Sequence, residues 1–235
     1  MNTINYTPKT LSEFVFGNED SKQLIEDIVS GDLPIPFSGK TGILLYGTFG
    51  TGKTTLAKLL PGLIEKAQTG EELGMEAEFF GCQQGHTGTP ILDLVKRQLS
   101  VMSFNQSRHH YYIFDEVDSL NKTAQGGLKT TLNSSRAVFI LTTNNISQLD
   151  KGVKDRCVLV EMNAAADTDF LPLARRIAAD EGVVLSDTQL LSAIAGNAGS
   201  FRSVIFAVLR LAKRAKRQAE EAAVLTASLL KAAMR

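Results

Sequence analysis

Gly42-Ile-Leu-Leu-Tyr46 runs without a break into Gly47-Thr-Phe-Gly-Thr-Gly-Lys-Thr-Thr55, and this junction decides how the chain is read. Five residues without polar alternation suit a strand buried on both faces of a parallel sheet. The glycines and hydroxyl residues that follow cannot continue it. Leu56, Leu59, Leu60 and Leu63 then recur at helical spacing, so a helix begins near Lys53.

The same alternation continues outward from this point. Towards the N-terminus, Leu24, Ile25, Ile28 and Val29 mark a helix that Gly31 ends, and Pro34, Pro36 and Gly39 make residues 32–40 a loop. Towards the C-terminus a strand is expected at 77–80. A polar loop over 81–90 leads to a helix carrying Ile91, Leu92, Leu94, Val95 and Leu99. Tyr111-Tyr-Ile-Phe114 is a third buried strand, tipped by Asp115-Glu-Val-Asp118. A helix over 123–132, a strand over 137–143 ending at Asn144-Asn145, and a last strand over 158–161 complete the pattern. Strands alternating with helices predict an α/β fold, a parallel sheet with helices on both faces.

From residue 163 the strand signal stops and alanine and leucine dominate. Three or four helices are expected there, with breaks at 181–182, 196–199 and Leu225-Thr226. The reading is an α/β domain over 1–162 followed by a small all-helical domain over 163–235.

Bulk properties limit the function classes. The 235 residues are 43% hydrophobic and 21% charged, enough for a sizeable core. Lys plus Arg and Asp plus Glu number 25 each, so no overall field draws the molecule to nucleic acid or membrane, and any DNA contact must be a local patch. No run approaches the roughly 18 apolar residues of a membrane span, and the first residues lack the basic-then-apolar order of a leader; a cytoplasmic protein without membrane contact is expected. Cys82 and Cys157 lack metal-ligand spacing and read as reduced, partly buried thiols. His109 and His110, adjacent on a strand, point to opposite faces and do not pair on a metal.

Gly47-x4-Gly52-Lys53-Thr54 is a complete phosphate-binding pattern between a strand and a helix. Gly47, Gly50 and Gly52 let backbone N–H groups at 47–55, those of Thr48, Thr51 and Thr55 among them, approach phosphate oxygens. The helix N-terminus adds partial positive charge. Lys53 would reach the β- and γ-phosphates of ATP, and the Thr54 hydroxyl would ligate Mg2+. Asp115, at the tip of a buried strand, needs a cation and would hold the same Mg2+ through water. Glu116 is then placed to activate the attacking water, and Asn144, at the tip of the next strand, to hydrogen-bond that water or the γ-phosphate.

These residues resemble the AAA+ ATPases and, within them, the clamp-loader group of replication factor C and DNA polymerase III loader subunits. The likeness covers nearly the whole sequence. The segment 6–18 is similar to the clamp-loader N-terminal box, implying that Tyr6, Pro8 and Val15 wrap the adenine. Asp115-Glu-Val-Asp118 resembles the Walker B tetrad, and Phe139-Ile-Leu-Thr-Thr-Asn144 the sensor 1 strand. Asp155-Arg156-Cys157 stands where that family carries Ser-Arg-Cys. The resemblance makes Arg156 a finger acting in trans on a neighbouring subunit's ATP, and hence implies an oligomer. Arg202 in Gly199-Ser-Phe-Arg202 resembles the sensor 2 arginine, implying a lid that responds to loss of the γ-phosphate. The family contacts duplex DNA through segments equivalent to 89–99, with Lys96 and Arg97, and 122–129; primed or duplex DNA and a sliding clamp are therefore the implied partners.

The chain departs from the family in three ways. Thr48 and Phe49 replace the usual loop prolines, Asp155 is expected to draw Arg156 away from phosphate, and the sequence stops after the lid, without the collar. Arg210, Lys213, Arg214 and Arg217 form a basic face on the last helix, read as solvated surface. Gln83 is a candidate polar partner for Glu116. The alternative jobs are a helicase loader or a remodeller of another protein complex. A non-hydrolysing ATP-dependent switch is disfavoured by the intact Lys53, Asp115 and Glu116.

Overall fold

The computed structural model describes residues 6–82, 89–197 and 199–233. The chain divides into two compact units, Thr7–Asn163 and a second made of Tyr6 with the chain from Ala164 onward. The break thus falls one residue beyond the expected boundary, and Tyr6 goes with the helices. Gln83 and His86 lie outside the described residues. Among the described residues no helix is long and apolar enough to cross a membrane.

The first unit contains α1 (Glu19–Ser30), β1 (Gly42–Tyr46), α2 (Lys53–Thr69), β2 (Glu78–Gly81), α3 (Thr89–Gln98), β3 (His110–Asp115), α4 (Lys122–Thr131), β4 (Ala137–Thr143), α5 (Lys151–Asp155) and β5 (Cys157–Glu161). The strands form one parallel sheet in the order β2-β3-β4-β1-β5. Side chains alternate between two cores. Leu44, Tyr112, Phe114, Phe139 and Leu141 pack with α3 and α4 residues such as Val95 and Leu128. Ile43, Leu45, Ile113, Ile140 and Val160 pack with Ile25, Leu56 and Leu60 of α1 and α2. Helices on both faces explain why the strands read as unbroken apolar runs.

Local chemistry sets the helix ends. The Asn18 side chain accepts from the amides of Asp20 and Ser21 at the start of α1, and Gly31, at φ 88°, ends it in the left-handed conformation. In α2 the buried face is Leu56, Ala57, Leu60 and Ile64, with Leu59 and Leu63 only half-buried. The buried face is therefore rotated from the leucine stripe read from the sequence, towards Ala57, Ile64 and Glu65, the last buried completely. The Glu65 carboxylate accepts from the Ser107 amide (2.8 Å), the Ser107 hydroxyl (2.5 Å) and the Tyr111 hydroxyl (2.9 Å). Three donors replace the water it loses.

The second unit holds α6 (Leu171–Asp180), α7 (Asp187–Ile194) and α8 (Phe201–Ala233). The expected break at Leu225-Thr226 is absent, since α8 runs through it. The Thr226 hydroxyl donates to the Ala222 carbonyl one turn back (2.8 Å), which keeps its polar group inside the helix. Val204, Val208 and Ala212 are buried, whereas Arg210, Lys213, Arg214 and Arg217 are exposed.

Two expectations about stability follow. Glu65→Ala strands the Ser107 amide and the Tyr111 hydroxyl and should lower stability by about 2–4 kcal/mol, and Tyr111→Phe by about 1 kcal/mol, in urea denaturation. His109, half-buried, has its pKa held below the ordinary imidazole value, chiefly by burial and further by His110, against an opposing pull from Glu65. A folded pKa below the unfolded one makes protonation favour the unfolded chain. The unfolding midpoint should therefore drop as pH falls through about 6.5, and His109→Gln should flatten that part of the profile.

Candidate functional site

The register of the sheet sets out the site. Tyr46 pairs with Thr143 and Leu45 with Thr142, while Phe114 pairs with Leu141. The carboxyl ends of β1, β3 and β4 therefore lie side by side, where ligand crevices form in open parallel sheets. The loop from β1 to α2, the Asp115-Glu116 tip and Asn144 all emerge along this edge.

The loop is built on backbone conformations that favour glycine. Gly47, Gly50 and Gly52 have φ of 145°, 82° and 92°. A Cβ on Gly47 would lie 2.3 Å from the Met162 carbonyl oxygen, and one on Gly52 would touch the Phe14 ring at 3.4 Å. The buried Thr51 closes the loop by donating its hydroxyl to the Thr48 carbonyl (3.0 Å). Lys53, the first residue of α2, is buried and donates from Nζ to the carbonyls of Gly47 (3.0 Å) and Thr48 (2.5 Å). Its ammonium is thereby held against the loop. Phe49, beside these groups in the loop, is exposed.

Thr54 and Asp115, chosen from separate motifs, meet here. The Thr54 hydroxyl donates to Asp115 Oδ1 at 2.8 Å. Thr142 donates to the same oxygen at 2.6 Å, and Thr142 Oγ1 accepts the Glu116 amide at 2.9 Å. Glu116 is exposed and left-handed, with φ 58° and ψ 51°. Asn144 is half-buried, and its side chain makes no hydrogen bond among the described residues; the neighbouring Asn145 amide donates to the Thr143 hydroxyl (3.0 Å). Thr55 faces an open groove with Thr7, Pro8, Thr54, Lys58 and Leu59. A hydroxyl and a carboxylate side by side are hard oxygen donors of the kind Mg2+ takes, and the glycine loop leaves its backbone open to phosphate. The residues present fit both groups.

Val15, Tyr6 and Arg202 are each described within their own unit. Val15 is half-buried beside Phe14 in the first unit. Tyr6 belongs to the second unit, where its ring lies under the Arg176 guanidinium (5.7 Å) and its hydroxyl pKa is raised, first by burial and then by Asp180. Arg202, in the first turn of α8, is exposed.

Arg156 corrects one expectation. Asp155 does not hold it: Nε donates to Asn133 Oδ1 (2.7 Å) and Nη1 to the Gly152 carbonyl (2.8 Å). Its own carbonyl receives the amides of Thr41 and Gly42, at the amino end of β1. Five residues of strand, about 16 Å, separate that end from the loop at Gly47.

Sequence reasoning missed two residues. Phe14, adjacent to Val15, is the one whose ring rests on Gly52. Thr142 carried a readable signal: it is polar inside a strand whose seven residues are all buried.

The model of the ATPase family associated with various cellular activities (AAA) matches residues 43–162, 120 of the 235 positions. Similar sequences include a replication factor C large subunit from Pyrobaculum calidifontis, 26% identical over 219 residues, covering 85% of this chain and 50% of that protein. A replication factor C small subunit from Natronomonas pharaonis is 27% identical over 202 residues, covering 85% and 58%. The chain thus spans between half and three-fifths of the length of these two relatives. Among solved structures, the RuvB Holliday junction branch migration motor from Thermotoga maritima matches with a TM-score of 0.59 at 18% identity, covering 89% of this chain and 64% of that one; this likeness concerns the fold.

Because the Gly47 position abuts backbone, Gly47→Ala should displace the loop against β5. A loss of at least about 2 kcal/mol in thermal or urea unfolding is expected, together with weakened nucleotide retention.

Proposed function

We propose that this chain, which belongs to the ATPase family associated with various cellular activities, binds ATP with Mg2+ on the loop 47–55 and hydrolyses it to drive a clamp-loader-like task on DNA. The observation that carries the reading is the 2.8 Å approach of Thr54 to Asp115, which joins the phosphate loop to the acidic strand tip. Mg2+, when bound, neutralises charge on the β- and γ-phosphates.

Lys53 turns its ammonium from the loop carbonyls to the phosphates. Thr54 and Asp115 would supply the oxygens that hold the cation. Glu116 orients and activates the attacking water, and Asn144 holds it in line. The resemblance gives Arg202 the role of reporting the γ-phosphate, and Tyr6, Pro8 and Val15 that of contacting the adenine. Arg156 serves a neighbouring subunit: tied to the opposite end of the strands from Gly47, it is out of reach of its own loop. Such a finger accelerates transfer by about 10³–10⁵-fold. Likeness to replication factor C subunits supports primed DNA and a sliding clamp as the targets, reached through α3, with Lys96 and Arg97, and α4.

Lys53→Ala should weaken binding of a fluorescent ATP analogue more than about 100-fold, whereas Glu116→Gln should retain binding and lose turnover by a similar factor. Arg156→Ala should also be slow alone. Mixed with Lys53→Ala protein, which keeps the finger but not the site, it should regain turnover. An absence of recovery would sink the trans role, and turnover indifferent to primed DNA would turn the reading towards a protein remodeller.

A further inference from the structure

We propose that Thr142 is a positioning residue that aligns the cation-holding carboxylate and the water-activating glutamate at the same time; this rests on the ATPase reading above. Thr142 is 2% exposed and lies on β4, one strand away from the acidic pair. A valine would fill the same volume and suit a strand at least as well, so the hydroxyl needs a reason.

The bonding supplies it. A hydroxyl offers one hydrogen and two lone pairs. Here the hydrogen goes to Asp115 Oδ1 at 2.6 Å and a lone pair takes the Glu116 amide at 2.9 Å. One atom on a neighbouring strand thus fixes the rotamer of Asp115 and the backbone of the residue after it.

Both partners need fixing. Glu116 sits at φ 58° and ψ 51°, a left-handed conformation that costs a non-glycine residue free energy and persists only where surroundings hold it. The Thr142 acceptor is the side-chain tie on that amide. If it is lost, the peptide between Asp115 and Glu116 can turn and the Glu116 carboxylate leaves its direction. Asp115 Oδ1 has two described donors, Thr54 and Thr142. Thr54 is also the hydroxyl proposed to face the cation. When it does so, Thr142 remains as the described protein donor on that oxygen.

Comparison of Thr142→Val with Thr142→Ser tests the role. In nucleotide-free protein, amide exchange at Glu116 should accelerate at least about tenfold in T142V and stay near wild type in T142S. The Mg2+ concentration that half-saturates ATP-analogue binding should rise several-fold in T142V, Mg2+-free affinity should stay within about twofold, and turnover should fall at least about tenfold. Serine should restore all three. A purely structural role would lower stability without moving the Mg2+ response. Wild-type exchange and Mg2+ response in folded T142V overturn the proposal, as does a T142S protein that behaves like T142V. If T142V is too unstable, T142C, which weakens both bonds, takes its place, and a wild-type Mg2+ response there overturns the proposal equally. Wild-type protein that neither retains nor hydrolyses ATP with Mg2+ would instead overturn the nucleotide reading itself.

Discussion

The register between β3, β4 and β1 is the constraint on which the rest depends. Parallel pairing of Phe114 with Leu141 and of Leu45 with Thr142 puts three strand tips on one line. A slip of one residue in β4 would exchange its two apolar faces. It would also turn Thr142 away from Asp115 and put Leu141 or Thr143 in its place. Register is therefore specified twice, by the two cores and by the hydrogen bonds at the tips. The wholly buried β4, apolar on both sides, is the strand best suited to carry that load.

Support for this line of tips extends behind it. Glu65, near the far end of α2, ties the loop ahead of β3 through Ser107 and reaches β3 itself through Tyr111. The helix that begins at the phosphate loop is thus fastened at its other end to the strand that ends in Asp115. Movement of one relative to the other strains a buried carboxylate and its three donors. Burial also pushes the thiols of Cys82 and Cys157 up to about 12, which leaves both protonated and unreactive inside the first unit.

How much of this was legible depends on whether the signal was local. The junction at 42–55 announced strand, loop and helix, since an apolar run and a glycine-rich turn are properties of neighbouring residues. Asp115 was legible because a carboxylate at the end of an apolar strand is anomalous. The breaks at 181–182 and 196–199 were legible from glycine. The break at Leu225-Thr226 was misread, because a β-branched hydroxyl residue looks like a helix end unless its back-bond to Ala222 is known. The leucine stripe of α2 was misread by the same limitation: only tertiary partners on another segment make Glu65 an inside residue. Asp155 drew attention as a charge beside Arg156, yet a neutral amide over twenty positions away holds the guanidinium. The polarity of Thr142 in an apolar strand was legible but its two partners were not, and Phe14 needed the third dimension for its seat on Gly52.

The placement of Arg156 carries a consequence for symmetry. Its backbone carbonyl is bonded at the amino end of β1 while its guanidinium is held by Asn133 and Gly152, and the phosphate loop opens from the carboxyl end of the same strand. A two-fold dimer joins identical patches, so it would have to present both ends of the sheet to a single interface. The proposed pairing of one subunit's Arg156 with the next subunit's loop would instead make unlike surfaces meet, and every added subunit would expose the same unlike pair again. An assembly built on that pairing would have a direction. It would close into a ring or wind on as a helix, and in an open form its two terminal subunits would be inequivalent, one with an unserved loop and one with an unused arginine.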